Sequence, residues 1–196
     1  MHVVPLGRPG HLGSPGWGWR LCGAALALLG VAGSARAALA VGDAAPDFSV
    51  AAALAGTQYT VSLAQSLSKG PVVLYFYPKA FTSGCTAEAH EFADATPQFA
   101  ALGASVVGMS VDDIDTLKKF SVQACQDKFA VAADVGGSVT KLYDAASTGG
   151  AQWAARISYV ISPAGRVLYV YASPDPSEHV KRTLAAVQQW KSGRAP

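Results

Sequence analysis

The run PVVLYFYP at 71–78 constrains this chain more than any other stretch. It is apolar almost throughout, does not alternate with polar residues, and carries a proline at each end. A strand that is apolar on both faces must be covered on both faces, which places it inside a sheet with helices above and below. The segments around it supply those layers. YTVSL (59–63) alternates like a half-buried strand, and ASVVGMSV (104–111) and FAVAAD (129–134) read as further strands. ISYVIS and VLYVYA, joined by PAGR at 163–166, form a hairpin. Residues 86–102 carry Ala87, Phe92, Phe99 and Leu102 near helical spacing, and Pro97 is expected to bend or split that helix. Asp112 and Asp113 can cap a helix over 113–127, and SVTKLYDA is a short helix candidate. The last segment, SEHVKRTLAAVQQW, places Val180, Leu184, Val187 and Trp190 on one face, with His179 on the exposed side. The pattern predicts an α/β fold: one domain, a three-layer α/β/α sandwich with a mixed central β-sheet.

The start of the chain has a different character. Residues 1–37 contain Arg8, Arg20 and Arg36 and no acid. LCGAALALLGVAG after Arg20 is shorter than the roughly 18–20 residues of a membrane span. Ala35-Arg36-Ala37 fits a small-x-small cleavage site, so 1–37 reads as a signal peptide and 38–196 as the mature domain. Cys22 stands at the start of the apolar run, and Trp19-Arg20-Leu21 before it is not a lipobox. Removing 1–37 takes away three of the 15 basic residues and leaves 12 against 13 acidic ones, a net charge of −1. That balance gives no reason to expect a nucleic-acid partner, and cleavage leaves no stable membrane association. The expected destination is an oxidising compartment, the bacterial periplasm given the high Ala and Gly content.

Cys85 and Cys125 are the cysteines that remain. Cys85 lies in YPKAFTSGCTAEAHEF (77–92), on the loop leaving the carboxyl end of the buried strand, where open α/β sheets bind ligands. A thiol in the first turn of the following helix meets the positive end of the dipole, which favours the nucleophilic thiolate. Thr82 can turn its hydroxyl toward the sulfur or a substrate oxygen. Pro78 stiffens the loop, and Gly84 permits a close approach. A free cysteine is more often a small buried hydrophobe, but the polar neighbours Thr82, Ser83 and Thr86 argue against that here. His90 has no second histidine nearby and reads as a packed or solvated side chain, so no metal site is expected.

Pro78-x-x-x-Thr82-x-x-Cys85 resembles the active-site motif of the peroxiredoxins, thiol peroxidases with a thioredoxin-like fold. The similarity extends through VGDAAPDF (41–48), FAALGASVVGMSVDD (99–113), ADVGGSVTKLYDA (133–145) and ARISYVISPAGRV (155–167). YPKAFTSGCTAEA is similar to the Q-type branch, the bacterioferritin comigratory proteins. The resemblance implies that Cys85 attacks hydrogen peroxide or an organic hydroperoxide and becomes a sulfenic acid. It implies that Thr82 hydrogen-bonds thiolate and peroxide, that Pro78 shields the sulfenic acid, and that Arg156 is the second active-site cation. Glu88 falls at a family position where a carboxylate orients that arginine or favours the dipole. The implied partners are the hydroperoxide and a thioredoxin-like or low-molecular-weight thiol reductant. No cofactor is implied, and Q-type relatives suggest a monomer.

His90 stands where many Q-type members carry a resolving cysteine. That departure leaves three routes open. Cys125, on the helix over 113–127, can resolve Cys85 if helix ends unravel to bring the sulfurs to bonding distance. An external thiol can reduce the sulfenic acid directly. A permanent Cys85–Cys125 disulfide would contribute roughly 4 kcal/mol but remove the nucleophile. Disulfide reductases with CxxC and copper carriers with CxxxC are disfavoured, because Cys85 has no such partner. A redox sensor or chaperone-like binding protein on the same fold, oxidised without turnover, is the alternative function.

Overall fold

The computed structural model describes residues 38–148 and 152–194. The expected signal peptide lies outside the described residues. Among the described residues, seven strands form one sheet: β1 Ser49–Leu54, β2 Thr57–Ser62, β3 Val72–Phe76, β4 Ser105–Ser110, β5 Ala130–Ala133, β6 Ile157–Ile161 and β7 Val167–Ala172. Their order is β2-β1-β5-β4-β3-β6-β7. β3, β4 and β5 run parallel, and the remaining pairings are antiparallel, so the sheet is mixed.

The apolar run becomes β3, and every residue of that strand is buried. Its side chains alternate between two cores. Val73, Tyr75 and the following Tyr77 pack with Phe92 and Phe99 of α2 (Ser83–Ala101), Leu117 and Phe120 of α3 (Ile114–Gln123), and Val187 of α5 (His179–Lys191). Val72, Leu74 and Phe76 face the other core, with Leu63 and Leu67 of α1 (Leu63–Leu67) and Val139 of α4 (Ser138–Leu142). This is the three-layer sandwich that the run required. The Tyr75 ring fits only because its neighbour in β4 is Gly108. A Cβ at Gly108 would stand 2.8 Å from that ring.

Some expectations give way to tertiary packing. α2 runs unbroken through Pro97. Phe92 and Phe99 anchor the helix to the core on either side of the proline, which itself lies exposed. Leu54 closes a strand, β1, that the sequence did not signal; SVAAAL has weak strand propensity but pairs with β2 and β5 on its two edges. α3 ends at Gln123, so Cys125 sits in the turn beyond it, where Gln126 and Asp127 adopt positive φ of 51° and 61°.

Candidate active site

β3 ends at Phe76, and the chain crosses Tyr77 to Thr82 before α2 begins at Ser83. Thr82 is the N-cap residue, so Cys85 falls in the first turn of α2 at the carboxyl end of the central strands. The antiparallel register pairs Phe76 with Ile157 of β6. Arg156, one residue earlier, therefore arrives beside the start of α2. Its Nη2 donates to Cys85 Sγ at 3.5 Å, Nη1 donates to Glu88 Oε2, and Nε donates to the Pro174 carbonyl at 3.1 Å. Glu88 lies one turn after Cys85 on the same face of α2. Three fixed acceptors hold one planar fork, the geometry that distinguishes arginine from lysine. Gly84 serves this approach, since a Cβ there would meet Arg156 Nη2 at 3.3 Å.

The electrostatics follow from burial. Cys85 is 1% exposed and Glu88 is fully buried. Burial pushes the Glu88 carboxyl up to about 8, with Arg156 pulling the other way. Burial also opposes the charge of Arg156, but Glu88 and Cys85 outweigh it and hold the guanidinium protonated. A protonated arginine and a helix start are therefore aimed at one sulfur.

Two other expected residues are placed nearby. Thr82 is exposed, and its hydroxyl donates to the Lys79 carbonyl at 3.0 Å. Pro78 lines a cavity of about 570 Å³ that it shares with Arg156, Ile157, Trp153 and Pro174. Lys79 Nζ lies 4.6 Å from the centre of the Trp153 ring. Cys125 is not part of this cluster. It is fully buried in the core that also contains Cys85, both thiols are free, and burial pushes the Cys125 thiol well above its ordinary range.

Two residues of the site were misplaced from the sequence. Asp113 alone caps α3, accepting from Thr116 N–H at 2.8 Å. Asp112 instead accepts from Ala80 N–H at 2.8 Å and from the Ser110 hydroxyl at 2.9 Å, tying the loop before Cys85 to the end of β4. His179, expected on the exposed side of the last helix, is fully buried. Its Nδ1 lies 2.8 Å from Ser158 Oγ and 3.7 Å from Glu88 Oε1. Nothing local marks either role. The only hint for His179 is its place at the start of the helix, beside a strand that carries Ser158 in an otherwise apolar run. Among the described residues no three metal-ligating side chains converge.

Residues 41–170 match the AhpC/TSA family, and the chain belongs to that family. It is 36% identical over 130 residues to the chloroplastic peroxiredoxin Q of Triticum aestivum, covering 66% of this chain and 59% of that one. It is likewise 36% identical over 132 residues to the chloroplastic peroxiredoxin Q of Sedum lineare, covering 67% and 70%. The peroxidoxin BcpB of Mycobacterium tuberculosis superposes with a TM-score of 0.69 at 32% identity, covering 76% of this chain and 96% of that one. The chain thus spans less than two thirds of the wheat relative and nearly all of the mycobacterial structure.

Proposed function

We propose that the protein is a thiol-dependent peroxidase and that Cys85 is its peroxidatic residue. The observation that carries this reading is the 3.5 Å contact between Arg156 Nη2 and Cys85 Sγ, inside a buried helix first turn. The thiolate attacks the terminal oxygen of a hydroperoxide, an S–O bond forms to that oxygen, the O–O bond breaks, and the bonding pair leaves on the other oxygen. A proton converts that oxygen to water or an alcohol, and the sulfur becomes a sulfenic acid. Arg156 stabilises the charge that builds on the peroxide oxygens. Pro78 walls the site. Thr82 stands at the helix start, where a rotation of its hydroxyl away from Lys79 would present it to the peroxide. The adjoining cavity suits the organic part of a hydroperoxide, so both hydrogen peroxide and organic hydroperoxides are substrates.

Cys125 resolves the sulfenic acid in this reading. Both thiols lie in one core, and Cys125 occupies a turn rather than a helix, so the start of α2 and that turn are the segments whose opening would bring the sulfurs together. A thioredoxin-like or small-thiol reductant then regenerates the pair. Residues 1–37 direct export to the periplasm, a reading supported by their charge and apolar pattern and tested by the N-terminus of the processed protein. The test of the activity is peroxide consumption by wild type, Cys85→Ser and Cys125→Ser. Cys85→Ser is inactive with any reductant. Cys125→Ser fails with a dithiol protein reductant yet turns over with a small monothiol. Stoichiometric oxidation of the wild type without turnover would favour the sensor reading instead.

A further inference from the structure

His179 has no part in the thiol chemistry above, yet it is fully buried against the site. Its Nε2 lies 3.1 Å from the Ser173 carbonyl. A carbonyl only accepts, so this nitrogen carries the hydrogen and Nδ1 of the neutral ring is bare. Nδ1 accepts from the Ser158 hydroxyl at 2.8 Å. On its other side stands Glu88 Oε1, 3.7 Å away, buried and without a hydrogen-bond partner among the described residues. If Glu88 is ionised, its negative Oε1 therefore stands against the electron-rich edge of Nδ1 with no donor to offset it. A proton on Oε1 removes that repulsion.

Charge balance leads to the same arrangement. Arg156 is the cation shared by Glu88 and Cys85. If Glu88 is ionised, it already balances Arg156, and a thiolate at Cys85 leaves the buried cluster net negative. If Glu88 holds a proton, the thiolate takes the place of the carboxylate as the counter-ion.

We propose that His179 is a positioning residue for the peroxide chemistry: from behind Glu88 it favours a proton on Oε1, and that proton leaves the charge of Arg156 to the Cys85 sulfur. The proposal rests on the peroxidase reading of Cys85. The other titratable and charged groups around the pair are placed differently. Tyr75 of β3 is buried and stays protonated, and Tyr171 of β7 packs edge-on to the imidazole at 4.7 Å. Asp175, before α5, accepts from Ser177 N–H, and Glu178 pairs with Lys181 and Arg182. Glu91 of α2 is exposed. Burial lowers the imidazole to about 4 and raises the Glu88 carboxyl to about 8, directions that agree with one proton resting on the carboxyl at neutral pH.

The test follows the second-order rate constant for hydrogen peroxide against pH by stopped flow, together with the infrared band of a protonated carboxyl. In the wild type the rate falls and the band disappears as pH rises through about 8. His179→Gln offers Oε1 an amide N–H, favours ionised Glu88, and moves both changes to lower pH by about one unit, a tenfold loss of proton affinity. Glu88→Gln is neutral at every pH and shows neither the band nor the alkaline fall. A His179→Gln profile that overlays the wild type, with only Tm lowered, would make His179 a packing residue and overturn the proposal. If His179→Gln does not fold, an alkaline fall that persists in Glu88→Gln overturns it instead. The infrared band needs no peroxide. A wild type that consumes none would sink the peroxidase reading while the Glu88 proton is still measured.

Discussion

Arg156 meets a sulfur, a carboxyl oxygen and a carbonyl with three nitrogens of one guanidinium. A lysine at this position has one nitrogen and cannot hold all three in a plane. Arg156→Lys is therefore expected to lower the peroxide rate constant by about 100-fold, the scale of losing one aligned electrostatic contact, with far-UV circular dichroism unchanged. The same cluster sets a stability profile. Glu88 releases its proton near 8 in the folded protein, far above the ordinary carboxyl range, so the folded state binds more protons than the unfolded chain between the two values. Stability falls as pH rises through that window. His179 acts in the opposite sense at its acid end: its folded value is near 4, and stability falls as pH drops from 6.5 toward it. The two trends offset one another where the windows overlap. The net fall therefore lies between neutral pH and about 8, is read by urea unfolding at stepped pH, and is absent in Glu88→Gln. Of these residues, Cys85, Pro78 and Thr82 were legible because they share one loop. Arg156 was found only through the family resemblance. His179 was misread because its burial depends on β6 and β7 passing beneath it, which no local periodicity reports.

At the level of elements, the site depends on where β3 stops and α2 starts. The loop between them is tied by Asp112, whose side chain takes the Ala80 N–H, while Asp113 next to it caps α3. Two adjacent acids thus have separable effects. Asp113→Ala lowers Tm by a few degrees through a lost cap and leaves the peroxide rate intact. Asp112→Ala frees the loop before Cys85 and is expected to lower the rate constant about tenfold, on the scale of lost positioning. Steady-state assays and thermal melts on both variants check this, and equal effects on activity would contradict it. From the sequence both acids read as caps, since either can supply a side-chain oxygen before a helix. Only the parallel pairing of β3 with β4 brings Asp112 back to the loop. Helix propensity also misjudged Pro97, because two core phenylalanines on α2 outweigh one missing hydrogen bond.

Across the whole molecule, the doubly buried β3 decides the arrangement. Its two faces require a helical layer on each side, and its carboxyl end then becomes the place where Cys85, Arg156 and the loop from β4 converge. The layers and the mixed sheet were readable from apolar runs alone, whereas the β1 strand was not, because an alanine-rich strand takes its identity from the neighbours it pairs with. Cys85 and Cys125 share the core on one side of that sheet, and the proposed resolution of Cys85 by Cys125 would link the active site to the turn after α3. The most direct measurement of the central claim is to treat Cys125→Ser with one equivalent of hydrogen peroxide and dimedone, then map the adduct by mass spectrometry. A dimedone adduct on Cys85 is expected in nearly every molecule, suppressed in Arg156→Lys. An unmodified Cys85 in the folded protein would contradict it.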